Sequence, residues 1–198
     1  MSSDSRSLSK NIYSSTFSSF CQEVSRFRLS HMIRTTDVSV EKLPKGNEQP
    51  PLGDWMVVVF AYSKFFRLTL KIHYSDNEAR RFANLSQGTD ALPLTITTIN
   101  DFMREYGNQV IGAVKQSVEE QSGYAKISCP LVTRGQDAEF FAPNPACAAF
   151  EDQWLLQVGD YKTQCAIILE FLDKNFMKKI FLPAFLDTEA VGDVEFFE

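Results

Sequence analysis

The stretch INDFMREYGNQVIGAVKQSVEEQ, from Ile99 to Gln121, holds the residues best placed to do chemistry. At about 100° per residue in a helix, Asp101, Glu105, Asn108, Gly112, Lys115 and Glu119 fall within roughly 80° of one another. Phe102, Met103, Tyr106, Val110, Ala113 and Val114 fall on the opposite side. Such a helix buries one face and presents two carboxylates and a carboxamide on the other. Carboxylates pair with cations, while a carboxamide both donates and accepts hydrogen bonds and so can orient a water. Gly107 and Gly112 each cost about 1 kcal/mol against alanine in a helix interior, which points to close approach by another element or by a partner. Taken alone, a face of Asp, Glu, Asn and Lys is most often only a solvated face, and a Glu-x-x-Asn spacing is common by chance.

No other catalytic set competes with it. GxSxG, Walker A, HExxH and GxGxxG are all missing from the sequence. His31 and His73 lie far apart without an obvious nucleophile, and Cys21, Cys129, Cys147 and Cys165 include no CxxC, so a zinc site is not expected. An enzyme built from this chain needs few groups or borrows them from a partner.

The elements that must position the helix can be read from the rest of the 198 residues. A hydrophobic fraction of 44% with 23% charged residues suits a folded domain, and a net charge of -5 argues against a dedicated nucleic-acid binder. No apolar run approaches membrane-spanning length. The start, MSSDSRSLSK, lacks the apolar core of a secretory signal, and the sparse cysteines suit a reduced, cytoplasmic protein.

Residues 1–10 are serine-rich and read as a flexible N-terminus. Ile12, Tyr13, Phe17, Phe20, Cys21, Val24 and Phe27 predict an amphipathic helix over 11–28. Residues 32–43 read as a strand, 42–53 as a loop, and 55–62 with 65–74 as a hairpin. Ser75, with Glu78 three positions on, caps a short helix to about residue 86. The long helix runs roughly from 98 to 121. Residues 125–134 then read as a strand, 135–149 as a loop, 153–158 with 161–172 as a second hairpin, and 173–181 as a short helix capped by Asp173.

Each half repeats helix, strand, loop, hairpin and short helix, at an offset of roughly 97 residues. The expected fold is α+β: one domain over 11–183, duplicated as about 11–86 and 98–181, with two long helices on antiparallel β-sheets and pseudo-twofold symmetry. The segment 184–198 is an acidic, aromatic tail outside both halves.

DFMREYGNQVIG resembles the signature of the CheC/CheX/FliY chemotaxis phosphatases, particularly CheX: Asp or Ser, three residues, Glu, two residues, Asn, and a later Pro. Asp101, Glu105 and Asn108 match in type and spacing, and Pro130 stands one residue short of the usual place. The likeness is specific in the long helix and architectural over about 11–172. It implies the duplicated α+β fold. It also implies removal of phosphate from the aspartyl phosphate of a CheY-like receiver domain, with Asn108 orienting the attacking water and Glu105 pairing with a receiver lysine. Asp101, Gly112 and Lys115 would contribute to docking, and Pro130 would be structural. The chain would need no cofactor of its own, because the receiver would hold Mg2+. A homodimer joined through the sheets is a further implication. The first helix offers only Leu8-x-x-Asn11 at the matching offset, which suggests a single site. A non-catalytic module that binds a receiver or a flagellar-switch component would present the same face.

Overall fold

The computed structural model describes residues 3–44, 52–88 and 94–173, with the side chains of 3–14 and 120–122 excepted. The expected short helix at 173–181 and the tail at 184–198 lie outside the described residues but for Asp173.

Helix α1 spans Ser3–Ile33. Its buried stripe is Phe17, Cys21, Ser25, Leu29 and Ile33, one residue every fourth position. That stripe explains two departures from the reading above. The helix begins inside the serine-rich start, and it keeps Met32 and Ile33, expected at the head of a strand. Burial of Ile33 in phase with Leu29 overrides its β-branched preference. Arg34, at φ 56°, ends the helix, and β1 is only Ser39–Lys42.

Strands β2 (Trp55–Tyr62) and β3 (Phe66–Tyr74) form the expected antiparallel hairpin. Helix α2 (Asp76–Gln87) opens on the expected capping box of Ser75 and Glu78 and closes on Gly88 in the left-handed region. Helix α3 spans Ile96–Ser122, capped by Thr95. The strand expected over 125–134 is broken into β4 (Lys126–Ile127) and β5 (Leu131–Arg134). Pro130 supplies no ladder N–H; just before it, the Ser128 amide donates to the Phe60 carbonyl while the Ser128 hydroxyl accepts from the Phe60 amide.

The loop expected over 135–149 contains a 3-10 helix, Gly135–Phe141. Its first turn is held by Asp137, which accepts from the Arg134 amide at 3.1 Å. Strands β6 (Ala148–Val158) and β7 (Tyr161–Phe171) form the second hairpin, with β6 starting earlier than the alternation suggested.

Among the described residues all seven strands belong to one antiparallel sheet, not to several, in the order β1-β6-β7-β3-β2-β4, with β5 also on β2. β3 and β7 meet at the centre. β1 pairs with β6 of the second half, and β5 pairs with β2 of the first.

Alternation along the strands divides the residues between two faces. Phe66, Leu68, Leu70, Ile72 and Tyr74 of β3 join Cys165, Ile167, Leu169 and Phe171 of β7 in the main core, which includes the inner faces of the helices. The opposite face is polar yet covered. Lys71 Nζ donates to the Ala138 carbonyl of the 3-10 helix at 2.9 Å. Glu170, 1% exposed, pairs with Arg67 and accepts from the Asn144 amide at 2.7 Å. His73 is buried on the same face, and among the described residues nothing hydrogen-bonds its Nδ1. Burial, aided by nearby Lys71, pushes its pKa down to about 4.

Two outcomes follow. A folded-state pKa below the ordinary histidine value means that the unfolded chain takes up the proton first. Stability is therefore full above pH 6.5 and falls as pH drops toward 4. Denaturant titrations should show wild type losing about 3 kcal/mol more over that window than His73→Gln. Separately, a Cβ on Gly107 would stand 3.0 Å from Val59 Cγ2 and 3.1 Å from Val57 Cγ1. Gly107→Val should therefore cost about 1–3 kcal/mol in the same assay.

Candidate functional site

Helix α3 lies in contact with α1, α2, β2 and β3. Its inner face is Ile99, Met103, Tyr106, Val110, Ile111, Val114 and Val118, all buried. The helical wheel had not singled out Ile99, Ile111 or Val118, while Phe102 and Ala113 are only half-buried.

Two neighbours in sequence fix the rotation of the helix. Tyr106 sends its hydroxyl to the Ser25 carbonyl of α1 at 3.1 Å and is fully buried. Burial pushes its pKa well up, so it stays protonated and able to donate. Gly107 sits against Val57 and Val59 of β2. With 106 and 107 turned inward, the flanking residues 105 and 108 are left toward the outside.

Glu105 is exposed, and its Oε1 accepts from Gln109 Nε2 at 3.0 Å, one helical turn on. Asn108 is half-buried, and among the described residues its carboxamide makes no hydrogen bond. Asp101 is exposed, with its side chain 60% accessible, and holds Arg104 at 3.1 Å. Gly112 is half-buried, and a Cβ built on it would meet none of the described residues within 4 Å. The two glycines thus play opposite parts, Gly107 against the sheet and Gly112 on the outer side.

Lys115 is placed differently from these. Its ammonium lies 2.7 Å from Glu119 and 5.8 Å from the centre of the Tyr124 ring, and its side chain is only 19% exposed. Glu119 also accepts from the Ala125 amide just past the helix. Burial alone would raise the Glu119 pKa, but the bonds from Lys115 and Ala125 hold it below the ordinary carboxylate value. Lys115 is engaged in closing the end of α3.

The expected residues therefore form one continuous line of Asp101, Glu105, Asn108 and Gly112, with Lys115 tied back at its end. Gln109 and Arg104 had not been singled out, although their spacings from Glu105 and Asp101 are those of helical neighbours. Pro130 sits in the break between β4 and β5. The side chains of Leu8 and Asn11 lie outside those described.

A second polar cluster escaped the sequence reading. Asp152, 4% exposed on β6, accepts from Ser18 and from Gln22 Nε2 at 2.9 Å, and Lys42 Nζ lies 3.7 Å away. It fastens α1 and β1 to β6. The legible signal was its place in the series Phe150, Asp152, Trp154, Leu156 and Val158, where a carboxylate occupies a core-facing position. A cleft of about 380 Å³ lined by Gly53, Asp54, Arg134, Gly135 and Gln136 shares no residue with the α3 line. Among the described residues, no group of three or more His, Cys, Asp or Glu could hold a metal ion. Nor is any helix there long and apolar enough to cross a membrane.

No protein-family model matches the chain, and no curated protein matches it in sequence. Solved structures do. The chain is similar to the chemotaxis protein CheX from Vibrio vulnificus, with a TM-score of 0.59 and 15% identity, over 78% of this chain and 99% of that one. It is similar to the CheX-CheY-BeF3-Mg2+ complex from Borrelia burgdorferi, with a TM-score of 0.55 and 12% identity, over 76% and 94%. It is also similar to the FliM-SpeE complex from H. pylori, with a TM-score of 0.58 and 10% identity, over 91% and 96%. At these identities the likeness is one of fold.

If Lys115 serves the helix end, Lys115→Met should lower stability by about 0.5 kcal/mol, the usual size of a helical ion pair. The loss should shrink in high salt, as read by thermal melts at low and high ionic strength.

Proposed function

We propose that the chain is a CheX-type phosphatase that hydrolyses the aspartyl phosphate of a CheY-like receiver domain. The observation that carries this reading is the pairing of exposed Glu105 with an Asn108 carboxamide that no described residue engages, on a helix whose phase is fixed from beneath.

The chemistry asks little of the chain. An acyl phosphate is already activated, and placing a water in line with the phosphorus supplies much of the acceleration. Asn108 accepts a hydrogen bond from that water and donates one to a phosphoryl oxygen, without the repulsion a carboxylate would meet. The water oxygen bonds to phosphorus as the bond to the aspartyl oxygen breaks. The electron pair stays on the receiver's carboxylate, and the water's proton leaves with phosphate or solvent. Glu105 pairs with a lysine of the receiver, and Asp101 adds negative charge to the same contact. The receiver holds the Mg2+.

We also infer the duplication, supported by the exchange of β1 and β5 between the two hairpins. A homodimer would use the sheet edges, where Ile127 and Leu131 are exposed.

A second reading is a non-catalytic receiver-binding or flagellar-switch module, favoured by the likeness to the FliM-containing structure. Mixing the protein with the organism's own receiver domains, phosphorylated in the presence of Mg2+, separates the two. The phosphatase reading expects faster loss of phosphate, with Asn108→Ala slower by about a hundredfold and Glu105→Ala weaker mainly in KM. Binding that leaves the phosphate lifetime unchanged would select the second reading.

A further inference from the structure

Of the glycines in helix interiors, Gly107 has an internal reason and Gly112 has none. Gly107 leaves room for Val57 and Val59. Gly112 has no positive φ, so it does not use the backbone freedom of glycine. Among the described residues nothing lies within 4 Å of where its Cβ would stand, so it gives no clearance to them. Glycine is the poorest interior helix residue after proline, and at this position the described residues draw no gain from that weakness.

Its place in the line suggests where the gain lies. Glu105, Asn108 and Gly112 follow the spacing i, i+3, i+7 along one side of α3. Beyond Gly112, Lys115 is drawn toward Glu119 and the Tyr124 ring, which leaves the ground above Gly112 low. An uncovered Cα lets another main chain approach to about 3.3–3.6 Å, the range of Cα–H···O contacts.

We propose that Gly112 is a notch on which a main-chain segment of the receiver domain rests, and that this close approach sets how far Asn108 reaches into the receiver's site. This rests on the phosphatase reading above. Gly112 is then a positioning residue: it touches the partner, not the reacting atoms.

Gly112→Ala and Gly112→Leu test it, with Asn108→Ala alongside. Melting temperature and steady-state dephosphorylation of a phosphorylated receiver with Mg2+ are measured for each. Gly112→Ala should melt about 2–4 °C higher than wild type, because the helix gains and nothing inside collides. Its kcat/KM should nevertheless fall. In Gly112→Leu the fall should reach about tenfold, with kcat lowered as well as KM raised, because Asn108 is then held short of the reacting water. A lower melting temperature for Gly112→Ala would place the need for glycine inside the fold and overturn the inference. Wild-type kcat/KM in both Gly112 variants, with Asn108→Ala inactive, would overturn the inference and leave the phosphatase reading standing. Wild-type turnover in Asn108→Ala would overturn both.

Discussion

The rotation of α3 about its own axis is the constraint on which the rest depends. It is set by two adjacent residues, Tyr106 bonded to the Ser25 carbonyl and Gly107 pressed on Val57 and Val59. A helix turns about 100° per residue, so a one-residue slip would carry Glu105 and Asn108 to the flank or into the core. The hydrogen bond and the close packing act from two directions, one from α1 and one from the sheet. Together they hold a carboxylate and a carboxamide outward without asking those groups to contribute to stability.

Much of this was legible in the amino-acid order. The alternation of β2 and β3 and the Ser75–Glu78 capping box appear in the structure where the sequence places them, and so does the centre of each face of α3, with Phe102 and Ala113 displaced to its flanks. Departures arose where tertiary burial or one residue's chemistry outweighed local pattern. Met32 and Ile33 look like strand but extend the buried stripe of α1. Pro130 divides what reads as one strand because it has no N–H for the ladder. Asp152 was missed because its partners come from α1 and β1, more than a hundred residues earlier in the chain. Gly112 and Gly107 look alike in sequence, and only the three-dimensional surroundings tell them apart.

The polar groups sort into those that hold the fold and those left over. Asp152 through Oδ2, Glu170, Lys71 and Lys115 each have named partners within the chain. Buried carboxylates such as Asp152 and Glu170 would be costly without them. Along the outer side of α3 the accounting differs. Among the described residues, Glu105 and Asp101 have only the helical neighbours Gln109 and Arg104 for partners, Asn108 has none, and Gly112 leaves space unused. A surface that leaves its hydrogen-bonding capacity open in one line, on a helix rigidly held from below, suits the receiver proposed above, which would bring the phosphoryl group, the metal and the lysine with it.

The most direct measurement is the 15N–1H spectrum of the protein, side-chain amides included, on titration with a receiver domain activated by beryllofluoride and Mg2+. The account predicts that the Asn108 side-chain amide and the backbone amides of 101–112 shift most, and that they shift together. If those signals stay fixed while another surface responds to the bound receiver, the assignment of α3 as the working face is contradicted.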